Sequence, residues 1–156
     1  MRLYVPAVLS DLAAPELTPR PACAVTPALR SALPEEDEEG LELSAFLSAA
    51  DLAVLRLADA ADALPAVPRR VVVALEVPDT TPLGAVPGDL VELASVVGEI
   101  PATGWSAVVS IHVDEPEAAD AVRAALTDDA AFEELGEVDL LWFHPSERSV
   151  LAAEAG

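Results

Sequence analysis

Apolar residues recur at helical spacing through one long segment in the first half of the chain. Steps of three and four residues between them predict the longest helix of the protein over 41–64. The apolar positions of this helix are Leu43, Phe46, Leu47, Ala50, Val54, Leu57, Ala61 and Leu64.

Five consecutive acidic residues, 35–39, stand directly before this helix. Unpaired N–H groups and the helix dipole favour negative charge at a helix start. A helix also turns adjacent side chains around its axis, so the five carboxylates cannot all face one ion. We therefore expect a solvated helix entry rather than a metal site.

Shorter patterns predict the remaining elements. Strands are expected where apolar runs or alternation occur, at 2–9, 69–77, 88–100, 105–113 and 138–144. Helices are expected at 26–33, where Thr26 is a good N-cap and Pro27 suits the first position, at 116–127, and at the end of the chain. The proline-rich segment 15–27 is expected to be a loop.

The strand at 69–77 has an almost continuous apolar run, which predicts burial on both faces. We expect the long helix to cover it through contacts of Leu47, Val54 and Leu57 with Val71, Val73 and Leu75.

The order of elements predicts one α/β domain over 1–156. Its expected form is a two-layer sandwich with a mixed sheet of four or five strands and helices mainly on one face. If 88–100 does not pair, the order reduces to a ferredoxin-like βαββαβ. The unit 105–144 is strand–helix–strand, which predicts a right-handed parallel crossover.

Composition narrows the function classes. The chain carries 28 acidic residues against 8 arginines and no lysine, for a net charge of -20. Such a field repels phosphate backbones and anionic membrane surfaces, so we expect neither a nucleic-acid nor a membrane partner. With one cysteine, no signal-peptide pattern and no apolar run near the roughly 18 residues of a membrane span, a cytoplasmic location is expected.

The strongest candidate for chemistry combines "IHVDEP" with "WFHPSE". His112 and Asp114 are two apart on a strand and share a face, and the crossover would bring His144 to the same sheet edge. Two histidines and a carboxylate can hold iron or zinc, and a histidine–carboxylate pair, with Glu147 nearby, can act as a general base. The alternative is that both histidines are ordinary strand-end residues. We expect no bound metal and no cofactor.

Two further features are open to more than one interpretation. Trp142 shares a strand face with Val138 and Leu140, so core packing is its expected role. The paired Arg69 and Arg70 either bridge to the acidic run or form a site for an anionic ligand.

Several segments occur in one order along nearly the whole chain: "CAVTPALR", the acidic run, "RRVVVALEVPD", "IHVDEPEA" and "LLWFH". In this the sequence resembles a family of small, acidic, uncharacterised actinobacterial proteins, one of the domains of unknown function. The resemblance implies no activity, cofactor or catalytic residue.

The first functional hypothesis is therefore a non-enzymatic cytosolic interaction or regulatory domain, with a second copy of the chain or another protein covering a sheet face or edge. The alternatives are a small hydrolytic or metal-assisted enzyme and a small-ligand binding domain, each using the His112/Asp114/His144 edge.

Overall fold

The computed structural model describes residues 1–155 as a sheet with helices on both faces. Its strands are β1 (Arg2–Ala7), β2 (Glu16–Leu17), β3 (Pro21–Cys23), β4 (Val71–Glu76), β5 (Val96–Glu99), β6 (Thr103–Gly104), β7 (Val108–Asp114) and β8 (Leu140–Phe143). Its α-helices are α1 (Pro27–Ala32), α2 (Glu38–Asp59), α3 (Ala119–Ala125), α4 (Asp129–Leu135) and α5 (Arg148–Ala153). None of these helices is both long enough and apolar enough to span a bilayer.

The main sheet has six strands in the order β5-β3-β1-β4-β7-β8, and β2 pairs with β6 in a separate ribbon. The central strand β4 is buried from Val71 to Leu75, which confirms the predicted burial on both faces. The 3-10 turn Leu9–Ala13 and α5 pack on one face of the sheet, and α2 packs on the other.

The predicted α/β sandwich is confirmed, but helices lie on both faces of the sheet rather than mainly on one, and the sheet has six strands rather than four or five. All neighbouring strands are antiparallel rather than mixed, and the proline-rich segment contributes β3, which pairs with both β1 and β5. The order is also not ferredoxin-like. In a split βαβ unit another strand separates the two joined by the helix, whereas β1 and β4, and likewise β7 and β8, are direct neighbours.

The acidic run is the solvated entry of α2, as predicted. The Asp37 carboxylate caps the helix by accepting a hydrogen bond from the Gly40 N–H at 2.9 Å. Glu38 pairs with Arg30 of α1, and residues 35–39 are all exposed. The helix starts three residues earlier than 41–64 because the Asp37 cap sets its first turn, and it ends five residues earlier, at Asp59.

The predicted packing face of α2 was wrong in part. Val54 and Leu57 are buried, as predicted, but they belong to a different cluster from the strand residues expected to contact them. The helix turns Ala45, Ala49 and Ala53 inward at 0% exposure, whereas Leu47 is 37% exposed. Against the sheet, α2 meets Val72 and Ala74, while the odd-numbered strand residues Val71, Val73 and Leu75 lie in the core on the opposite face. Small alanines let the helix approach the sheet closely, and periodicity alone did not separate them from the larger residues beside them.

Leu57 and Leu47 therefore have different expected effects when shortened to alanine. Leu57 is 2% exposed and packs with Val54, Val122 and Leu135. Leu57→Ala is expected to lower the free energy of unfolding by about 2–5 kcal/mol, and Leu47→Ala by less than about 1 kcal/mol. Urea unfolding of both variants measures the difference; equal losses would contradict the observed rotation of α2.

The predicted parallel crossover between 105 and 144 was also wrong. The connection after β7 holds two short helices, α3 and α4, which pack on each other and bring the chain back to the end of the sheet where it left. Strand β8 consequently runs antiparallel to β7, with Leu140 opposite Asp114 and Trp142 opposite His112.

Candidate functional site

His112 and His144 lie on neighbouring antiparallel strands rather than at the ends of two parallel ones. Because β7 and β8 are antiparallel, their carboxyl ends lie at opposite ends of the pair. His112 stands within β7, opposite Trp142, whereas His144 follows the last residue of β8 and is exposed. The crossover from which the shared edge was predicted is therefore absent, although the register sets His144 only two positions beyond Trp142, the cross-strand partner of His112.

Both carboxylate oxygens of Asp114 are bound in a buried ion pair with Arg70. Its carboxylate accepts hydrogen bonds from Nε and Nη2 of Arg70, each at 2.8 Å, and from the Arg70 backbone N–H at 2.8 Å. Asp114 is 0% exposed and Arg70 is 1% exposed. The paired arginines do not reach the acidic run, because Arg69 bonds to Glu154 and to the Asp114 carbonyl.

His144 and Glu147 form a local cap on the turn Pro145–Glu147. Nδ1 of His144 accepts a hydrogen bond from the Ser146 N–H at 3.1 Å, and the Glu147 carboxylate accepts one from the His144 N–H at 2.8 Å. Each side chain thus has a structural contact within the same turn. Within residues 1–155, no three histidine, cysteine or carboxylate side chains converge as metal ligands.

His112, unlike the exposed His144, is partly buried and lines a groove in the fold. Its Nε2 lies 2.9 Å from the Ser110 hydroxyl, and its ring meets Phe46 edge-on with centroids 4.8 Å apart. Burial lowers the pKa of His112 to about 4. The imidazole is therefore neutral near pH 7, where a general base with so low a pKa is weak.

The lowered pKa of His112 predicts a pH-dependent part of stability. Between the unfolded-state pKa of 6.5 and the folded value of about 4, only the unfolded chain takes up this proton, so acidification favours unfolding. From pH 7 to pH 4, we expect the wild-type free energy of unfolding to fall relative to that of His112→Gln. The expected difference is about 1–2 kcal/mol, because the ring is partly exposed. Urea titrations at several pH values measure both free energies of unfolding. If they fall in parallel from pH 7 to pH 4, the lowered pKa of His112 is refuted.

A groove of about 710 Å³ opens beside His112, between α2 and β8. It exists because α2 lies over β1, β3 and β4 and leaves this part of β7 and β8 without a helical cover. Its floor is formed by Tyr4, Ala74, Ser110 and His112; one wall is α2 and the other is the segment 138–142.

Polar contacts fix one end of the groove. The Tyr4 hydroxyl donates a hydrogen bond to the Glu42 carboxylate at 2.6 Å. Burial and this bond raise the pKa of Tyr4, so the phenol stays protonated. Arg2, at the same end, pairs with Glu76 at 2.8 Å. Glu42 and Asp139 give the two walls negative charge.

Large apolar side chains stand exposed along both walls. Leu43 is 56% exposed and Leu47 37% exposed on α2, and Trp142 is 60% exposed on β8. The expected core packing of Trp142 is thus corrected: it shares a face with Leu140, as predicted, but no helix covers that face at its position. Sequence reasoning missed Tyr4, Glu42 and Phe46 as groove residues, although the i, i+4 spacing of Glu42 and Phe46 placed them on one side of the helix.

Comparison with known proteins places the chain in a family without assigning it chemistry. No curated protein and no solved structure gives a significant match. The sequence pattern of one family matches residues 1–152, which is nearly the whole chain. The protein therefore belongs to the family of unknown function DUF6912.

Proposed function

We propose that this protein is a non-enzymatic binding domain, and that its groove between α2 and β8 receives an amphipathic helix of another protein. The single observation that carries the proposal is the pair of apolar walls, Leu43 and Leu47 opposite Trp142, on either side of an uncovered sheet face. Exposed apolar side chains gathered at one concave place mark an interaction surface more strongly than scattered ones do.

The shape of the groove favours a helix as its occupant. Leu43 and Leu47 are one turn apart on α2 and form a ridge along which a second helix can pack. A helix beside α2 would lie over β7 and β8 and extend the helical layer that α2 provides for β1 and β4. Trp142 would then meet the apolar face of the incoming helix from the other side, an arrangement typical of helix-in-groove recognition.

The charge of the groove favours a basic partner over a second copy of this chain. Glu42 and Asp139 line the two walls, while Arg2 is neutralised by Glu76. Two copies, each with a net charge of -20, repel one another. A helix with lysine or arginine on its polar face is attracted by the same field, which also speeds its association.

Contacts at the remaining candidate residues support a role without catalysis. Asp114, His144 and Glu147 are each held in structural hydrogen bonds, and His112 has a pKa far below neutrality. Burial raises the pKa of the Cys23 thiol to about 12, which makes it a poor nucleophile. The proposal includes a cytoplasmic location, where a free thiol such as that of the buried Cys23 stays reduced.

The proposal is tested with three synthetic peptides of about 18 residues that share one leucine-rich helical face. Their polar faces carry lysine, glutamate or serine. Fluorescence anisotropy is expected to show the lysine peptide binding at least about tenfold more tightly than the serine peptide, and no binding of the glutamate peptide. Equal binding of all three would contradict a basic partner.

Two charge-matched variants locate the binding surface. Leu43→Glu changes the groove wall, and Val150→Glu makes the same change at a 67% exposed residue of α5. Both variants add one negative charge, which attracts the lysine peptide equally. If only Leu43→Glu binds the peptide more weakly than the wild type, the cause is the lost apolar contact in the groove. Equal affinities of the two variants would exclude the groove. A wild-type dimer in sedimentation that Leu43→Glu abolishes would identify a second copy as the occupant instead.

A further inference from the structure

A second cavity, on another part of the molecule, surrounds a buried arginine. It measures about 350 Å³ and lies between the turn after β1, the C-terminal end of α2 and the end of α5. Its walls are mainly aliphatic, with Val8, Leu57 and Pro65 among them, and Arg69 is the only cationic side chain that lines it in the described part of the chain. This volume is at the lower end of the range for small-molecule sites.

Hydrogen bonds hold the Arg69 guanidinium in place but do not use all of its N–H donors. It is 5% exposed, and its Nε donates to the Asp114 carbonyl at 2.7 Å, which fixes the plane of the guanidinium. Nη1 donates to the Glu154 carboxylate at 2.5 Å, whereas Nη2 donates no hydrogen bond to any of residues 1–155. The neighbouring Arg70, by contrast, uses Nε, Nη1 and Nη2 in bonds to Asp114, Leu135 and Val138.

The partner of Arg69 is a surface residue that reaches inward. Glu154 caps α5 and is 49% exposed, so water competes for its carboxylate far more than for the buried guanidinium. An ion pair with one exposed member adds little stability. The guanidinium can instead hold a carboxylate by two parallel hydrogen bonds, which use Nη1 and Nη2 together.

We infer that this cavity binds a small monocarboxylate with a short apolar body, and that the ligand carboxylate displaces Glu154 from Arg69. One guanidinium balances one negative charge, and the strongly acidic protein disfavours a doubly charged ligand such as phosphate. The aliphatic walls accommodate the apolar body. Glu154 acts as an internal competitor that keeps the affinity of the wild-type protein low.

The inference is tested by calorimetric titration with hexanoate and benzoate, with 1-hexanol as the neutral probe. Glu154→Ala removes the competitor and is expected to bind both carboxylates at least about tenfold more tightly than the wild type, with 1-hexanol unchanged. Asp62→Ala, which removes another exposed carboxylate of the neighbouring turn, is the matched control and should bind as the wild type does. If both variants gain the same affinity for the carboxylates, the lower net charge alone explains the gain, and the inference is overturned.

Arg69→Lys in the Glu154→Ala background tests the guanidinium itself. A lysine keeps the charge but cannot form the paired hydrogen bonds, so hexanoate affinity is expected to fall at least about tenfold. Should this double variant fail to fold, the comparison of Glu154→Ala with the wild type decides alone, and an unchanged affinity refutes the site. Leu43→Glu, in the groove, should leave hexanoate binding intact. The groove proposal and the cavity inference can therefore be refuted independently.

Discussion

Replacing Asp114 with alanine is expected to lower the free energy of unfolding by about 3–5 kcal/mol. Asp114 and Arg70 are 0% and 1% exposed, and the carboxylate accepts three hydrogen bonds from Arg70, including one from its backbone N–H. The substitution leaves the guanidinium charge buried without its counterion. Urea denaturation at neutral pH measures the loss.

Asp120→Ala is the matched control for this prediction. Asp120 also pairs with an arginine, Arg123, at 2.8 Å, but its side chain is 98% exposed, so no measurable change is expected. Arg70→Met combined with Asp114→Leu should recover part of the loss, because the pair of charges is removed together. Equal effects of Asp114→Ala and Asp120→Ala would show that the pair is not buried as the structure has it.

Replacing Gly98 with alanine is expected to cost about 2–4 kcal/mol, because two penalties add. Gly98 has a φ of 103°, a conformation that residues with a side chain rarely adopt. A Cβ there would also overlap the carbonyl oxygen of Gly84. That oxygen belongs to a backbone segment tied to β5 by a hydrogen bond from the Gly84 N–H to the Glu99 carbonyl at 2.7 Å, so it cannot move freely.

Gly88→Ala provides the comparison, since no atom lies within 4 Å of the position its Cβ would take. Its φ is not in the left-handed region, and the added methyl group should be neutral or slightly stabilising. Thermal unfolding of the two variants separates them. A Gly98→Ala protein as stable as Gly88→Ala would mean that the backbone around β5 differs from the one described.

Local signals in the sequence predicted local structure well. Thr26 and Pro27 specified the start of α1, where the Thr26 hydroxyl accepts a bond from the Leu29 N–H. The acidic run specified the entry of α2, and the apolar run of β4 specified burial on both faces. Each depends on neighbours within a few residues, whose chemistry is visible without knowledge of the fold.

The direction of β8 depends on a second helix, α4, that the apolar pattern did not predict. With one helix between β7 and β8, a parallel crossover is the usual outcome. A second helix, α4, reverses the path, and its signal was present: the Asp128 carboxylate caps it by accepting bonds from the Ala130 and Ala131 N–H groups. The predicted placement of the two histidines rested on the parallel crossover, which this one element removes.

The groove could not be found from the sequence for a different reason. Strand alternation assigned Trp142 to the correct side of β8 but could not say which helix covers that side. Coverage is set by where α2 crosses the sheet, and that follows from the close approach of Ala45 and Ala49. Tyr4 and Glu42 meet across 38 positions of sequence, a contact that only the folded chain makes.

The most direct test of the binding groove is an NMR titration of the ¹⁵N-labelled protein with the lysine-faced peptide. The expected result is that backbone amide shifts concentrate at residues 42–47, 110–112 and 138–142, which line the groove, and that the Trp142 indole signal moves with them. Residues of α5 should stay unchanged. Binding whose shifts concentrate on α5 or around Arg69, with 138–142 unaffected, would contradict the groove as the site of partner recognition.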